Sequence, residues 1–256
     1  MLATDVDEAP LKDGVPCDLR SDEQVRRLFD EHRCSIVVHL AAVLPTAFKA
    51  DPLAGADVNL TATLRLLKAC LRSGVRRFVF GSSTSVYGNS ERCCSETTPP
   101  SPDEPYGAAK LAVERILEVV PSIETVSLRI PRVLGPGARN TSSPWRSQVF
   151  ERADVTIPHA PHAILSVIHV DDLARVLAIL VDAEALPART YNSPVESLQA
   201  ADLAHLVEEL SGRPIHLGTA PAGPQIDGTR FTRDFDLVLR PLREHLRDAL
   251  IGAESA

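Results

Sequence analysis

The 256-residue sequence contains no long apolar run, no basic cluster and no leader-like N-terminus. No apolar stretch approaches the ~18–20 residues that a membrane helix needs, which argues against a membrane partner. The formal net charge is −7 and no run of Lys and Arg stands out, which argues against a nucleic-acid partner. The first ten residues, MLATDVDEAP, are acidic and lack the basic region of a signal peptide. These absences predict a cytoplasmic protein.

Cysteine is also scarce, and its five occurrences form no framework. An odd number without framework spacing indicates reduced thiols rather than disulfides. Cys93 and Cys94 are adjacent, but no second pair or nearby histidine cluster completes a zinc pattern. We therefore expect no metal site. The five cysteines are Cys17, Cys34, Cys70, Cys93 and Cys94.

The first half of the chain alternates strand and helix patterns. SIVVHLAA (35–42) is a β-branched apolar run typical of a parallel strand buried on both faces, and RRFVFGSS (76–83) and ETVSLRI (124–130) indicate further strands. Apolar residues at helical spacing fill 56–73 and 106–120 between them. Such alternation predicts βαβ units with right-handed crossovers, and hence an α/β fold with a doubly wound parallel sheet.

Weaker signals precede these elements. MLAT indicates the end of a short strand, and GVPCDL (14–19) indicates another. Ser21 then begins a helix, with Gln24 three residues later at the spacing of a capping box. The N-terminal region is therefore expected to belong to the same fold.

The regular alternation of strand and helix patterns ends after GPG (135–137), so we predict two domains, 1–137 and 138–256. Residues 166–184 indicate a strand and a strong helix that pack back on the sheet of the first domain. The second domain is otherwise expected to be irregular at its start and to form a small lid. Its further helices are predicted at 197–212 and 236–251.

Five stretches, in order, resemble the extended short-chain dehydrogenase/reductase family, in its NAD-dependent epimerase/dehydratase branch. The resemblance covers roughly residues 1–180. It implies a Rossmann-like first domain that binds a dinucleotide and a second region that binds a small-molecule substrate. The stretches are VVHLAA (37–42), NLTATLRLLKACLRSGVRRFVFGSSTSVYG (59–88), YGAAK (106–110), LRIPRVLGPG (128–137) and VIHVDDLA (167–174).

The resemblance assigns catalysis to Ser83, Tyr106 and Lys110. In this family the tyrosine passes a proton to or from a substrate hydroxyl while hydride moves to or from the nicotinamide. A phenol with a pKa of about 10 is a poor base at neutral pH. Lys110 lies one turn away on the same helix face, and its charge favours the phenolate. Ser83, with Thr84 beside it, would orient the substrate oxygen.

The implied cofactor is NAD rather than NADP, because Asp5 stands where an acid would bind the ribose and no arginine follows it closely. Asp18 and Leu19 match an Asp-Leu pair beside the adenine, and Lys110 would also hold the nicotinamide ribose. The residues that the resemblance assigns to the cofactor are Asp5, Asp18, Leu19, Leu40, Ala41, Ala42, Asn59, Tyr106, Lys110 and Ile130.

One family feature is missing from the sequence. The glycine loop that cradles the pyrophosphate precedes the ribose-binding acid by about 20 residues, which here falls before Met1. The first strand of this fold is central, so we expect the strands at 1–5 and 35–40 to lack their shared neighbour. Either a longer reading frame supplies that strand and loop, or the chain is a rearranged relative.

Arg132 marks a departure on the substrate side. Nucleotide-sugar members read R-x-x-N after the sixth strand, whereas this chain reads RIPR, from Arg129 to Arg132. The planar guanidinium of Arg132 could bind a phosphate or a carboxylate. A nucleotide sugar and a small hydroxy acid or carbonyl compound therefore both stay open as substrates.

Three functions remain open at this point. The first is an NAD-dependent epimerase or dehydratase that moves hydride at a secondary alcohol or ketone of a nucleotide sugar. The second is an NAD(P)-dependent reductase or dehydrogenase of a small hydroxy acid or carbonyl compound. The third is a catalytically weakened NAD(P)-binding paralogue that acts as a regulator or subunit. The resemblance also implies a homodimer formed through the helices at 52–73 and 106–120.

Overall fold

The computed structural model describes residues 2–6, 14–90, 92–136, 143–151 and 154–251. Two compact units divide the chain, and they interleave along the sequence. The first unit spans Met1–Gly88, Pro100–Arg129 and Leu180–Thr190, and the second spans Asn89–Pro99, Ile130–Ile179 and Tyr191–Ala256. Within the described ranges, no helix is long and apolar enough to cross a membrane.

The described residues form strands and helices numbered in chain order. The strands are β1 (Thr4–Asp5), β2 (Val15–Pro16), β3 (Ile36–His39), β4 (Arg77–Ser83), β5 (Glu124–Ile130), β6 (Arg132–Leu134), β7 (Val155–His159), β8 (Ile164–His169), β9 (Thr190–Asn192), β10 (Glu196–Gln199) and β11 (Ile215–Ala220). The α-helices are α1 (Asp22–Glu31), α2 (Pro45–Ala50), α3 (Pro52–Ala56), α4 (Thr63–Arg72), α5 (Pro105–Val119), α6 (Trp145–Gln148), α7 (Val170–Asp182), α8 (Ala200–Ser211), α9 (Thr229–Phe235) and α10 (Leu242–Leu250).

The first unit holds β3, β4 and β5, which neighbour one another in that order in one sheet. β3 and β4 are parallel, with Ile36 opposite Arg77 and His39 opposite Phe80. Every residue of β4 is buried. Parallel strands alternating with helices confirm the predicted α/β class. The core of this unit includes Leu66, Leu67, Phe78, Phe80, Val113 and Leu117.

β3 is less buried than its sequence predicts. Only His39 of its four residues is buried, and Val38 is 38% exposed. The prediction of a strand buried on both faces was wrong because β3 lies at the edge of the described sheet, with β4 as its neighbour.

β1 and β2 form a separate two-stranded parallel sheet. The backbone N–H of Cys17 also donates to the carbonyl oxygen of Asp5 at 2.8 Å. In the described chain β1 therefore pairs with β2 and β3 pairs with β4.

α1 begins at the predicted N-cap but with half of a capping box. The Ser21 hydroxyl accepts a hydrogen bond from the Gln24 backbone N–H at 3.3 Å. The Gln24 side chain does not return to Ser21, since its Oε1 accepts from the Asp18 backbone N–H at 2.7 Å. The glutamine thereby ties the end of the β2 loop to the helix.

The helix predicted at 56–73 is three consecutive pieces. α3 is followed by a π-helical segment, Asp57–Ala62, and then by α4. π-Helical turns are rare and are frequent at functional sites. This one carries Asn59, which is buried. The single-helix prediction was wrong because apolar spacing does not distinguish a π turn from an α turn.

Arg77 ties the end of α7 to β4. Its Nη1 donates to the carbonyl oxygens of Leu180 at 2.7 Å and Val181 at 3.1 Å, and its Nε donates to Glu124 at 2.6 Å. The last carbonyls of a helix lack partners inside the helix, so a buried arginine satisfies them.

The second unit holds a three-stranded sheet and a two-stranded sheet. In the order β10-β8-β6, β6 is parallel and β10 antiparallel to β8, and β11 pairs in parallel with β7. β7 and α6 lie in the stretch predicted to be irregular. β7 was missed because it contains a proline and its partner β11 lies some sixty residues later, with Ile215 opposite Val155. The core includes Leu134, Trp145, Val149, Ile157, Leu165, Leu203 and Leu246.

Candidate active site

Ser83 is the last residue of β4 and is 9% exposed. Its hydroxyl accepts from the Ser85 backbone N–H at 3.1 Å and caps the 3-10 turn Thr84–Tyr87. Ligands of parallel α/β sheets bind at the carboxyl ends of the strands. Ser83 therefore stands at the end of the sheet where reacting groups are expected, with Thr84 half-buried beside it.

Gly107 lets the start of α5 lie directly against this turn. A Cβ at position 107 would come within 2.3 Å of the Ser85 carbonyl oxygen, so a side chain there has no space. Tyr106 precedes this glycine and Lys110 follows one turn later. Position 107 in YGAAK therefore requires glycine, because the helical turn that carries Tyr106 packs closely against the turn that follows Ser83.

Lys110 is buried, with only 2% of its surface exposed. Its Nζ donates to the Gly81 carbonyl oxygen at 2.6 Å and lies 4.7 Å from the centre of the Phe80 ring and 5.8 Å from that of Tyr106. Burial lowers the pKa of Lys110 to about 8, and the Glu114 carboxylate acts in the opposite direction. The geometry holds an ammonium group of reduced basicity beside the tyrosine ring.

Tyr106 is 8% exposed and packs edge-on against Phe48, with ring centres 6.4 Å apart. Phe48 is itself confined, because a Cβ at Gly55 would meet its ring at 2.6 Å. The tyrosine ring thus has a fixed wall on one side and Lys110 near it. Both are contributed by helices of the first unit.

His39 is a residue of this region that sequence reasoning missed. It ends β3 between Phe78 and Phe80, with ring centres 6.0 and 6.1 Å away. The Thr63 hydroxyl donates to the Asn59 carbonyl oxygen at 3.0 Å, so the His39 Nε2 at 2.8 Å is the donor to that hydroxyl. Burial and the charge of Lys110 lower the pKa of His39 to about 3. A lone histidine in an apolar strand gives no sign in the sequence that it will be buried, neutral and close to Lys110.

Asn59 acts on the loop that follows β3. Its amide donates to the Val43 carbonyl oxygen at 2.8 Å, and its Oδ1 accepts from the Val43 N–H at 2.7 Å. Both ends of the side chain therefore serve the backbone, and they fix the segment that carries the predicted cofactor residues Leu40, Ala41 and Ala42. A direct contact of Asn59 with a cofactor stays a prediction.

The loop after β3 carries three of the residues that were predicted to bind the cofactor. Leu40 is 48% exposed, and Ala41 and Ala42 bring small side chains to the surface at the carboxyl end of the strand. Small side chains there allow close approach to the backbone. The buried ammonium of Lys110 supplies a donor of fixed position in the same unit.

Asp5 and Asp18 lie on the β1–β2 side of the first unit. Asp5 is exposed at the end of β1. The Asp18 carboxylate accepts from Arg20 through the backbone N–H, Nε and Nη2, and these hydrogen bonds lower the pKa of Asp18. The Leu19 carbonyl oxygen accepts from Arg65 at 3.2 Å. Asp18 thus presents an ionised carboxylate that an arginine already orients.

Ile130 and Arg132 belong to the second unit. Arg132 is half-buried on β6, and burial with the nearby charge of Arg146 lowers its pKa to about 10. The pKa of His159 is lowered as well, by burial and by the same two arginines. Two guanidinium groups in one place favour an anion. Arg146 and His159 were not singled out from the sequence.

A parallel sheet with Ser83 at a strand end and a buried Tyr106 and Lys110 on the adjoining helix defines the short-chain dehydrogenase/reductase class. The family described as NAD dependent epimerase/dehydratase matches residues 3–192. The chain belongs to that family.

Three relatives illustrate the similarity. UDP-glucose 4-epimerase 2 of Oryza sativa subsp. japonica is 28% identical in an alignment of 237 positions; the alignment covers 81% of this chain and only 58% of that relative's own length. The structure of the Thermus thermophilus UDP-glucose 4-epimerase with NAD is 26% identical with a TM-score of 0.81, covering 100% of this chain and 91% of that one. L-threonine dehydrogenase from Phytophthora infestans is 20% identical with a TM-score of 0.89, covering 98% and 89%, and is similar in fold.

Proposed function

We propose that this protein is an NAD-dependent enzyme of the epimerase or dehydratase type, which moves hydride at a secondary alcohol or ketone of a nucleotide sugar. The observation that carries the proposal is the buried Lys110, whose Nζ lies 5.8 Å from the ring centre of Tyr106 on a helix packed against the Ser83 turn. The relative from rice is a UDP-glucose 4-epimerase, and the Thermus enzyme was solved with NAD.

Three side chains of the first unit carry the proton steps. Tyr106 accepts the proton of the substrate hydroxyl as the carbon is oxidised, and returns it when the carbonyl is reduced. Lys110 favours the phenolate through its positive charge. Ser83 holds the substrate oxygen by a hydrogen bond. When bound, NAD would supply the acceptor and donor of the hydride, so that an epimerase would leave no net oxidation.

We assign cofactor binding to the predicted residues near β1 and β2 and in the loop after β3. Asp18 supplies an oriented carboxylate, and Asn59 fixes the loop that carries Leu40. The remaining members of the proposed set are Asp5, Leu19, Ala41, Ala42, Tyr106, Lys110 and Ile130. NAD is preferred over NADP, since the carboxylate of Asp5 would repel a ribose phosphate.

Arg132 is proposed to bind the anionic part of the substrate, with Ser83 and Thr84 binding its reacting part. The nearby charge of Arg146 supports this role, since an anion relieves the repulsion between the two guanidinium groups. The same pair of arginines favours a second candidate, a dehydrogenase or reductase of a small hydroxy acid, because a guanidinium binds carboxylate as readily as phosphate.

The test is conversion of UDP-glucose to its 4-epimer by the purified chain with NAD, after calorimetry has given the NAD affinity. Tyr106→Phe should lower kcat by about 10²–10⁴-fold. Its matched control, Tyr191→Phe, removes a buried hydroxyl that donates to Asp234 and should leave kcat near the wild-type value. Equal turnover by wild type and Tyr106→Phe would contradict the proposal. Net accumulation of NADH with a hydroxy acid, without epimerisation, would favour the second candidate.

Two further predictions belong to this proposal. A homodimer through α3, α4 and α5 is supported by the exposed Leu53 and Val119 on those helices, and sedimentation at monomer mass would contradict it.

A cytoplasmic location is supported by the free state of all five cysteines. Fractionation of the cells that make the protein tests it.

A further inference from the structure

Four polar side chains behind the Ser83 turn form one buried network. Glu114 of α5 and Arg129 of β5 make a two-pronged ion pair, with Arg129 Nη2 at 2.7 Å from Oε2 and Nε at 3.0 Å from Oε1. Ser82 donates to Glu114 Oε1 at 2.5 Å, and Arg129 Nη1 donates to the Tyr87 hydroxyl oxygen at 2.8 Å. None of the four residues is more than 4% exposed.

The network grips the Ser83 segment at both of its ends. Ser82 immediately precedes Ser83, and Tyr87 closes the 3-10 turn that Ser83 caps. One end is held by the carboxylate and the other by the guanidinium of the same ion pair. A rotation or shift of the segment that carries Ser83 and Thr84 would break a charge-assisted hydrogen bond in a buried place, which is costly.

We propose that the Glu114–Arg129 ion pair is a positioning clamp, which holds the segment 82–87 so that Ser83 meets the substrate oxygen in a fixed place. This inference rests on the proposed function, because it assigns the clamp a purpose only if Ser83 takes part in the reaction. Neither Glu114 nor Arg129 is required to touch the substrate.

The ion pair costs desolvation, so its presence calls for an explanation other than stability. Burying two charges is often no better for stability than packing apolar residues of the same size. Such a pair can instead fix the positions of the groups that it contacts. Here those groups are Ser82 and Tyr87, at the two ends of the segment that carries Ser83. Arg129 uses its Nε and Nη2 on Glu114 and its Nη1 on Tyr87, so its planar fork is engaged on three sides.

Glu114 of the clamp also affects Lys110, the lysine that is proposed to favour the phenolate of Tyr106. Glu114 follows Lys110 by one helical turn, and its charge opposes the lowering of the Lys110 pKa by burial. Neutralising Glu114 should therefore lower the pKa of Lys110 further. If the reaction needs the ammonium form, the high-pH limb of the kcat profile moves to lower pH in Glu114→Gln.

The test uses two variants that each release one end of the segment. Ser82→Ala removes the hydrogen bond to Glu114, and Tyr87→Phe removes the one from Arg129. Each should lower kcat by about ten- to hundredfold, since small misplacements of catalytic groups have effects of that size. The affinity for NAD should change by no more than about twofold, because none of the proposed cofactor residues lies in the segment 82–87.

Two controls separate positioning from loss of a buried hydroxyl as such. Thr125→Val removes a buried hydroxyl that donates to the Leu117 carbonyl oxygen, also between α5 and β5 but away from the Ser83 segment. Tyr191→Phe matches Tyr87→Phe. Both controls should keep wild-type kcat. A kcat loss in Thr125→Val equal to that in Ser82→Ala would overturn the inference.

Hydrogen–deuterium exchange gives a readout that does not depend on turnover. Amides of 83–87 should exchange faster in Ser82→Ala and Tyr87→Phe than in wild type or Thr125→Val. Unchanged exchange together with unchanged kcat and an unshifted pH profile in Glu114→Gln would overturn the clamp. A wild type that binds NAD but turns over no substrate, with the exchange pattern as expected, overturns the proposed function and leaves the grip on the segment supported.

Discussion

Two regions of the first unit carry the proposed chemistry, and they are held in different ways. On the proton-transfer side, Ser83, Tyr106 and Lys110 are all under 10% exposed, and buried charges are hydrogen-bonded on several sides. On the cofactor side, Asp5 and Leu40 are exposed, and β1 and β2 are two residues long.

The difference follows from what each side must do. A proton-transfer group has to be placed within a fraction of an ångström, which calls for side chains locked by packing and by second hydrogen bonds. A surface that takes up a large ligand can gain part of its order from the ligand. Lys110 has both kinds of support, a hydrogen bond to Gly81 and packing against Phe80, and Tyr106 is held by packing against Phe48.

The largest expected effect is on catalysis by Lys110→Met. The kcat should fall by about 10²–10⁴-fold because the charge that favours the phenolate is gone. The thermal midpoint should stay level or rise, since Met fills the space without a buried charge. Lys68→Met, at an exposed position of α4, is the control and should change neither quantity. Full activity in Lys110→Met would contradict the role of the lysine.

The next largest effect is on stability and compares one ion pair from each region. Arg129→Met leaves the Glu114 carboxylate buried without its cation, which should lower the free energy of unfolding by about 3–5 kcal/mol. Arg20→Met removes the exposed partner of Asp18 and should have no measurable effect. Urea denaturation measures both. Similar losses in the two variants would erase the distinction between the regions.

His39 lies where the two regions meet, and it should make stability depend on pH. Its pKa is about 3 in the folded chain against about 6.5 when unfolded, so the unfolded state binds the extra proton below pH 6.5. Stability therefore falls as pH drops from 6.5 towards 3, by up to about 1.4 kcal/mol per pH unit from this residue. Chemical denaturation at several pH values should give a flatter dependence for His39→Gln. An unchanged slope in that variant would contradict the buried neutral histidine.

The smallest expected effect concerns the contact of α5 with the Ser83 turn. Gly107→Ala places a methyl group against the Ser85 carbonyl oxygen and should cost about 1–3 kcal/mol, with a parallel fall in kcat. Ala108→Gly, one residue on and exposed, should cost about 1 kcal/mol through helix propensity and leave kcat unchanged. If both variants keep wild-type kcat, the close approach has no part in catalysis.

The sequence predicted the α/β class, the strands β4 and β5, the helix α5 and the family, because buried β-branched runs and ordered motifs are local signals. It did not predict the π-helical turn at Asn59 or the pairing of β7 with β11. These depend on side-chain to backbone bonds and on partners far along the chain. The exposure of β3 likewise depends on its place at the edge of the described sheet and not on its own residues.

The candidate site divides in the same way. Tyr106 and Lys110 were singled out through the family resemblance that YGAAK helps to carry, whereas the reason for Gly107 between them lies in the close packing of α5 against the Ser83 turn. His39, Glu114 and Arg129 carry no motif of their own, since a lone charged or polar residue in a helix or strand is usually exposed or satisfied elsewhere. Only the fold brings Arg129 to Glu114.

The most direct test of hydride chemistry at the Tyr106–Lys110 site uses UDP-glucose that carries deuterium on the carbon to be inverted. With NAD bound, wild type should convert it more slowly than the unlabelled sugar and retain the deuterium on that carbon in the product. Tyr106→Phe, with NAD affinity intact, should convert neither at a comparable rate. Equal rates for both sugars, or deuterium lost to solvent, would contradict hydride transfer at this site.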